Sequence, residues 1–310
     1  MKIVHSIASF VTKKPTVVTI GTFDGVHLGH QKIVSQVTEA AKINDCESLV
    51  LTFFPHPRMV LQEGTEMKQL NTIEEKTALL DQLGVDYLVI HPFDKTFSRM
   101  TAEEFVKDVL VDTFQLKKIF IGYDHRFGRN RTADINDLIA FGATYGFEVA
   151  QISAEELNDV SISSTKIRTA LNEGNVDLAN DYLGYAYSLT GEVVQGQQLG
   201  RTIGFPTANI FVKEDYKLIP LNGVYVVYSE INEKKVYGMM NIGTRPTVAG
   251  TQQTIEVHFL DFNEDLYGKT ISVSFLKRLR NEQKFPSLEA LKAQLFSDRS
   301  ETEQFIETTK

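Results

Sequence analysis

The stretch Gly21-Thr-Phe-Asp-Gly-Val-His-Leu-Gly-His30 places two imidazoles, His27 and His30, three residues apart on a turn that also carries Gly21, Gly25 and Gly29. Glycines let the backbone approach a ligand closely, and an imidazole can donate a hydrogen bond to phosphate oxygen in either ring state. Phosphate handling is the chemistry that suits this arrangement, although a glycine turn bearing two surface histidines would use the same residues. Further along, Ser163, Ser164 and Thr165 offer hydroxyl donors at a helix start, followed by the cations Lys166 and Arg168. They suit a triphosphate, or simple helix capping beside a solvated basic turn. Thr207 and Asn209 stand two residues apart in Gly200-Arg-Thr-Ile-Gly-Phe-Pro-Thr-Ala-Asn209. On a strand, alternation sends both to one face, where their oxygens suit a Mg²⁺ shared with substrate phosphates. A turn leading into a strand explains the same residues. Finally, alternation in Thr254-Ile-Glu-Val-His-Phe259 sets Ile255, Val257 and Phe259 against Glu256 and His258. By alternation alone, that carboxylate takes the usual place of a strand glutamate and faces solvent.

The elements around these residues fall into two textures. Up to about residue 185, short apolar runs at Thr16–Ile20, Ser48–Phe54, Asp86–Ile90, Lys118–Gly122 and Phe147–Ile152 read as strands. Between them, helical spacing marks Gln31–Ile43, Thr72–Leu83, Thr101–Thr113 and Asp134–Tyr145, with Thr72-x-x-Glu75 and Thr101-x-x-Glu104 as capping boxes. Such alternation predicts right-handed βαβ units and a parallel sheet, with ligands beyond the carboxyl ends of the strands. The turn at Gly21, Pro55-His56-Pro57, Gly122–Gly128 and Ser163–Arg168 would all lie at that end. After Tyr185 the pattern becomes short alternating runs, at Ser188–Val194, Thr207–Val212, Val224–Ile231, Lys235–Asn241, Thr254–Phe259 and Ile271–Phe275. These predict an antiparallel barrel or sandwich, closed by a helix from Ser287 towards Glu307. The domains expected are therefore 1–185 and 186–310.

Bulk properties narrow the classes of function. A chain of 310 residues suits two domains, each with its own core. With 32 basic against 40 acidic residues the net charge is −8, so no global positive field exists to gather nucleic acid. An anionic ligand must be held by local donors. One cysteine, Cys46, excludes an intramolecular disulfide and a cysteine-based zinc cluster and fits a reducing compartment. No apolar run is long enough to span a bilayer, so a soluble, cytoplasmic protein is expected, with no membrane partner. No GxxxxGK[ST] loop is present, and oligomeric state is left open.

GTFDGVHLGHQ resembles the signature of the nucleotidylyltransferase superfamily that carries a His-x-Gly-His motif, and GYDHRFG with SSTKIR resembles its bacterial FAD synthetase branch. GRTIGFPTAN, NGVY at 222–225, NIGTRPTV at 241–248 and EVHFLDF resemble the riboflavin kinase family. Together the resemblance, to bacterial bifunctional riboflavin kinase/FAD synthetase, covers nearly the whole chain. It implies a Rossmann-like adenylyltransferase domain with a parallel sheet, then an antiparallel β-barrel kinase domain with a terminal helix. The activities implied are phosphorylation of riboflavin to FMN and adenylylation of FMN to FAD, with ATP and Mg²⁺ and with riboflavin, FMN and FAD as substrates and products. Carried over residue by residue, Gly21, Phe23, Asp24, Gly25, His27, Gly29, His30, Asp124, Ser163, Ser164, Thr165 and Arg168 would bind ATP for adenylyl transfer, with His27, His30 and Arg168 catalytic. Gly200, Arg201, Pro206, Thr207 and Asn209 would bind ATP for the kinase, with Thr207 and Asn209 on the metal and Glu256 as base. Pro55, Pro57 and Arg280 would contact flavin. The sequence departs from the pattern at His125, where an aromatic residue is more usual, and at Thr132-Ala133, where glycine is often found. A nucleotidylyltransferase for another phosphorylated acceptor, or a catalytically silent flavin-responsive regulator, are the other readings. The PTAN and EVHFLDF segments speak against the first, and intact His27, His30, Thr207, Asn209 and Glu256 against the second.

Overall fold

The computed structural model describes residues 1–62, 67–122, 126–152, 162–196, 199–247 and 250–309, so Asp124 and His125 lie outside the described residues. The chain divides into two compact units, Met1–Ser164 and Thr165–Lys310.

In the first unit, strands β1 (Lys2–Val4), β2 (Thr16–Ile20), β3 (Glu47–Phe54), β4 (Tyr87–Pro92), β5 (Leu116–Gly122) and β6 (Glu148–Ile152) form one sheet. Their order is β1-β4-β3-β2-β5-β6, and every pairing is parallel. Five of the six are the strands that the apolar runs predict. The exception, β1, is an edge strand of three residues, too short to show a period or an apolar run. From β2 the chain moves outward to β3 and β4, then returns to lay β5 against the other side of β2. The order therefore reverses beside β2, and the carboxyl end of β2 borders the crevice that such a reversal opens.

Helices α1 (Leu28–Ile43), α2 (Pro57–Leu61), α3 (Ile73–Gln82), α4 (Ala102–Glu104) and α5 (Ile135–Tyr145) connect the strands. Both expected capping boxes form, Thr72 with Glu75 and Thr101 with Glu104, and α5 adds a third from Asp134 and Asp137. The expected helix at 101–113 is continuous only in outline. After α4 the segment Phe105–Thr113 is wound as a π-helix, with Phe114 N donating to Val109 O five residues back. The wider turn lets Phe105, Val106, Val109 and Leu110 all reach the core. The loop after β5 closes through paired backbone bonds between Phe127 and Ala133, so alanine serves at the position where glycine is often found.

The second unit begins with α6 (Ser164–Asn172, its first residue at the division) and α7 (Val176–Leu183). Asn180 of α7 donates to Phe275 O and accepts from Tyr187 N, which binds the helix to the strands that follow. The pattern change at residue 185 lies at the end of this helix pair. Strands β7 (Ser188–Val194), β8 (Ala208–Phe211), β9 (Gly223–Ile231), β10 (Lys234–Thr247), β11 (Gly250–Phe259) and β12 (Thr270–Arg280) close into a barrel in the order β10-β11-β8-β7-β12-β9, with the one-turn helix α8 (Leu199–Thr202) before β8. All its pairings are antiparallel. The terminal helix α9 (Leu288–Thr309) starts where expected, with Ser287 Oγ accepting from Ala290 N.

Candidate active sites

In the first unit, the turn after β2 folds its two apolar residues inward. Phe23 and Val26 take φ of +46° and +36°, flanking Gly25 at +89°. A non-glycine residue in that region costs roughly 1–3 kcal/mol and persists where its surroundings over-determine it. Burial supplies the constraint: Phe23 is 2% and Val26 1% exposed, among Val34, Val50, Leu80 and Leu88. Hydrogen bonds from other elements hold the backbone. Thr22 O accepts from Lys76 Nζ at 2.8 Å and from Thr52 Oγ1 at 3.2 Å, and Asp24 O accepts from Ser164 Oγ at 2.8 Å. The Asp24 carboxylate is buried and accepts from Leu70 N.

This anchoring delivers His27 as the N-cap of α1 and His30 within its first turn. The His27 side chain makes no capping bond, so it supplies no acceptor to the first-turn N–H groups at this electropositive helix end. The two rings stack, centroids 3.7 Å apart and 18° from coplanar, and Phe23 packs edge-on against His30. Nδ1 of both rings is buried and has no hydrogen-bond partner among the described residues. Burial lowers the His27 pKa to about 4, and burial, with His27 and Lys76 adding like charge, lowers that of His30 well below the ordinary value. Both imidazoles are therefore neutral at pH 7. Each has one N–H to donate and an environment in which only an arriving anion would favour the imidazolium. Lys76, 1% exposed, is pushed down to about 8 by burial, with Asp24 opposing. Its position is readable from the sequence in retrospect, because Ile73, Lys76 and Leu80 fall on one helical stripe.

Gly21, Gly29 and Ser163 are half-buried, and Ser163 lies just before α6. On α6 itself Thr165 is exposed and Arg168 half-buried; both belong to the second unit. Pro55 follows a cis bond from Phe54 and is exposed, whereas Pro57 opens α2 and is half-buried.

In the second unit, the barrel register builds the site. Glu256 on β11 is directly opposite Asn209 on β8 and Asn241 on β10, so three polar side chains stand in one row across neighbouring strands. On the other face of β11, Ile255, Val257 and Phe259 are buried, as alternation predicts. Glu256 Oε2 accepts from Thr207 Oγ1 at 3.4 Å, and Oε1 pairs with Arg245 Nη2 at 2.6 Å. A Cβ on Gly196 would stand 2.2 Å from Asn209 Nδ2, so only glycine there leaves room for that amide. His258, next on this face, shares a 2.8 Å bond with Pro206 O, and burial lowers its pKa. Gly200 is half-buried, while Arg201 and Pro206 are exposed.

The chain that builds a stacked histidine pair in its parallel-sheet unit and an Asn–Glu–Asn row in its barrel matches two family models in order. The model described as FAD synthetase matches residues 10–166, and that described as riboflavin kinase matches residues 183–306. The bifunctional riboflavin kinase/FMN adenylyltransferase of Escherichia coli strain K12 is 40% identical over 313 residues, covering 100% of this chain and 99% of that protein. The chain belongs to this family of bifunctional riboflavin kinase/FMN adenylyltransferases. The Listeria monocytogenes member is 39% identical over 292 residues, covering 94% and 92%. A crystal structure from Streptococcus pneumoniae, described as a macrolide-efflux protein, superposes with a TM-score of 0.89 at 33% identity over 97% and 98% of the two chains.

Two residues of the second unit make contacts that no motif announces. Arg280, the expected flavin contact, is held by Asp298 of α9, with Nε at 2.9 and 3.1 Å and Nη2 at 2.7 Å from its oxygens. Asp298 is 2% exposed, so this pair ties the end of β12 to the terminal helix. Neither its type nor its spacing marks out Arg245 in the sequence. In the sequence the alternating run stops at Asn241 because Gly243 and Pro246 read as breakers, yet β10 continues to Thr247 and carries Arg245 onto the face of Asn241, four residues on.

Proposed function

We propose that the two activities of the family divide between the halves, adenylyl transfer to FMN in residues 1–185 and phosphorylation of riboflavin in residues 186–310. The observation that carries the kinase assignment is the Thr207–Glu256 contact within the Asn209–Glu256–Asn241 row. The 5′-hydroxyl of riboflavin is a neutral alcohol, so attack on the γ-phosphorus gains from a base. Glu256 Oε2 takes the hydroxyl proton as the new O–P bond forms. The bond from the γ-phosphorus to the β–γ bridging oxygen breaks, and ADP leaves. Thr207 and Asn209 supply hard oxygen donors on one face, beside a carboxylate and in a space that Gly196 keeps open, and they fit Mg²⁺. Bound there, the ion would neutralise charge on the transferring phosphates. Donation of the Thr207 proton to Glu256 leaves the hydroxyl lone pairs for the cation.

Adenylyl transfer needs no base, because an FMN phosphate oxygen is already anionic. It bonds to the α-phosphorus of ATP while the bond to the α–β bridging oxygen breaks and pyrophosphate leaves. His27, His30, the α1 N-terminus and Arg168 are assigned to aligning phosphates and stabilising their charge. Asp124, outside the described residues, keeps its assignment near the nucleotide, and Pro55, Pro57 and Arg280 theirs at the flavin. A cytoplasmic location belongs to the same reading, supported by the single cysteine; no helix among the described residues is long and apolar enough to cross a membrane.

Chromatography of products tests the division. Glu256→Gln should block FMN formation yet leave FAD formation from supplied FMN, and loss of both would contradict separate sites. His30→Ala should stop at FMN, and FAD output at an undiminished rate would remove this histidine from the mechanism.

A further inference from the structure

We propose that Arg245 is a positioning residue for phosphoryl transfer: it holds Glu256 so that Oε2, rather than Oε1, meets the incoming alcohol. The proposal rests on the reading of Glu256 as the base. A glutamate on a strand has several rotamers open to it, and its two oxygens are equivalent until a donor distinguishes them. Here they are distinguished. Oε1 faces the Arg245 guanidinium at 2.6 Å, a short charge-assisted contact that commits its lone pair. Among the described residues Oε2 has only the Thr207 hydroxyl at 3.4 Å, at the outer limit of a hydrogen bond, and is the oxygen left to accept a proton. It is also the oxygen beside Thr207, on the side assigned to metal and nucleotide. The Arg245 side chain is 39% and that of Glu256 19% exposed, so solvent screens the pair and its contribution is one of orientation more than of stability. Arginine suits the task because its guanidinium directs donors along fixed in-plane vectors, whereas a lysine offers a point charge.

Steady-state kinetics of the full-length protein separate this from other roles. In Arg245→Ala, kcat for FMN formation should fall roughly 10- to 100-fold, the range that follows from a misplaced catalytic group. KM for riboflavin and for ATP should stay within about twofold, and FAD formation from supplied FMN should be unchanged. Arg245→Lys should fall between variant and wild type, and millimolar guanidinium should restore part of the kcat of Arg245→Ala. In the Glu256→Gln background, Arg245→Ala should slow the residual rate no further. A rise in KM for ATP with kcat intact would overturn the proposal by assigning Arg245 to the nucleotide. Losses that multiply in the double variant, or a deficit that guanidinium leaves untouched, would also overturn it. Undiminished FMN formation by Glu256→Gln alone is a separate result, which would remove the base assignment itself.

Discussion

Replacing His27 with asparagine should flatten the acid side of the stability profile of the first unit. Burial lowers the His27 pKa to about 4, against about 6.5 for an unfolded histidine. Above pH 6.5 the ring is neutral in both states and its contribution to stability is fully present. Below that, the unfolded chain takes up a proton that the folded chain refuses, so stability falls with pH until the folded ring also protonates near pH 4. At 1.36 kcal/mol per unit, the full loss is about 3 kcal/mol, of which about 2 kcal/mol accrues between pH 7.5 and 5. Asparagine does not titrate, so the capping it adds and the ring packing it removes at the start of α1 shift stability equally at every pH. Hydrogen exchange of the β2 amides, corrected for intrinsic rates, reads the opening free energy of this core strand. The variant should gain about 2 kcal/mol on wild type between pH 7.5 and 5. Parallel profiles would refute the reasoning, since they would mean that His27 is protonated at little cost in the folded state.

Asp298→Ala should lower stability by about 3 kcal/mol in urea denaturation followed by circular dichroism, because it strands the Arg280 guanidinium beside a vacated, buried site; a loss under about 1 kcal/mol would show a pair no stronger than a surface one. Lys76 has a folded pKa of about 8 against about 10.5 unfolded, so wild-type stability should rise as the pH is raised from 8 towards 10.5, where the unfolded chain alone stays protonated. Lys76→Met should lose that rise in thermal denaturation at pH 7.5 and 9.5, and a variant that keeps it would place the titration elsewhere.

Much of the fold is legible because burial writes a period into the chain. Thr16–Ile20 reads as a strand since all five residues are buried, and Thr72 and Thr101 announce helices since their boxes satisfy local donors. That His27 and His30 meet is legible for a similar reason, since residues three apart at a helix start share a face. What stays hidden depends on contacts distant in sequence. The strand β12 runs on to Arg280 through register shifts after Phe275 and Arg278, which break the alternation that would reveal it. The widening of Phe105–Thr113 keeps a helical composition and changes only the hydrogen-bond step. The Arg245–Glu256 pair requires knowing that β10 and β11 are neighbours and in which register.

The closed barrel has a consequence for how the kinase site could arise and change. In an open sheet an edge strand can slide past its neighbour by breaking one ladder; around a ring there is no edge and every strand is locked on both sides, so a slip of β11 would break the ladders to β8 and β10 together. A slip by one residue would also turn Glu256 to the face now held by Val257. The alignment of Asn209, Glu256 and Asn241 is therefore a digital property: it is kept whole or lost whole, and gradual drift of surrounding loops cannot blur it. Variation among such barrels should accordingly collect in the loops that bring substrate to the row, while the row itself stays fixed by topology.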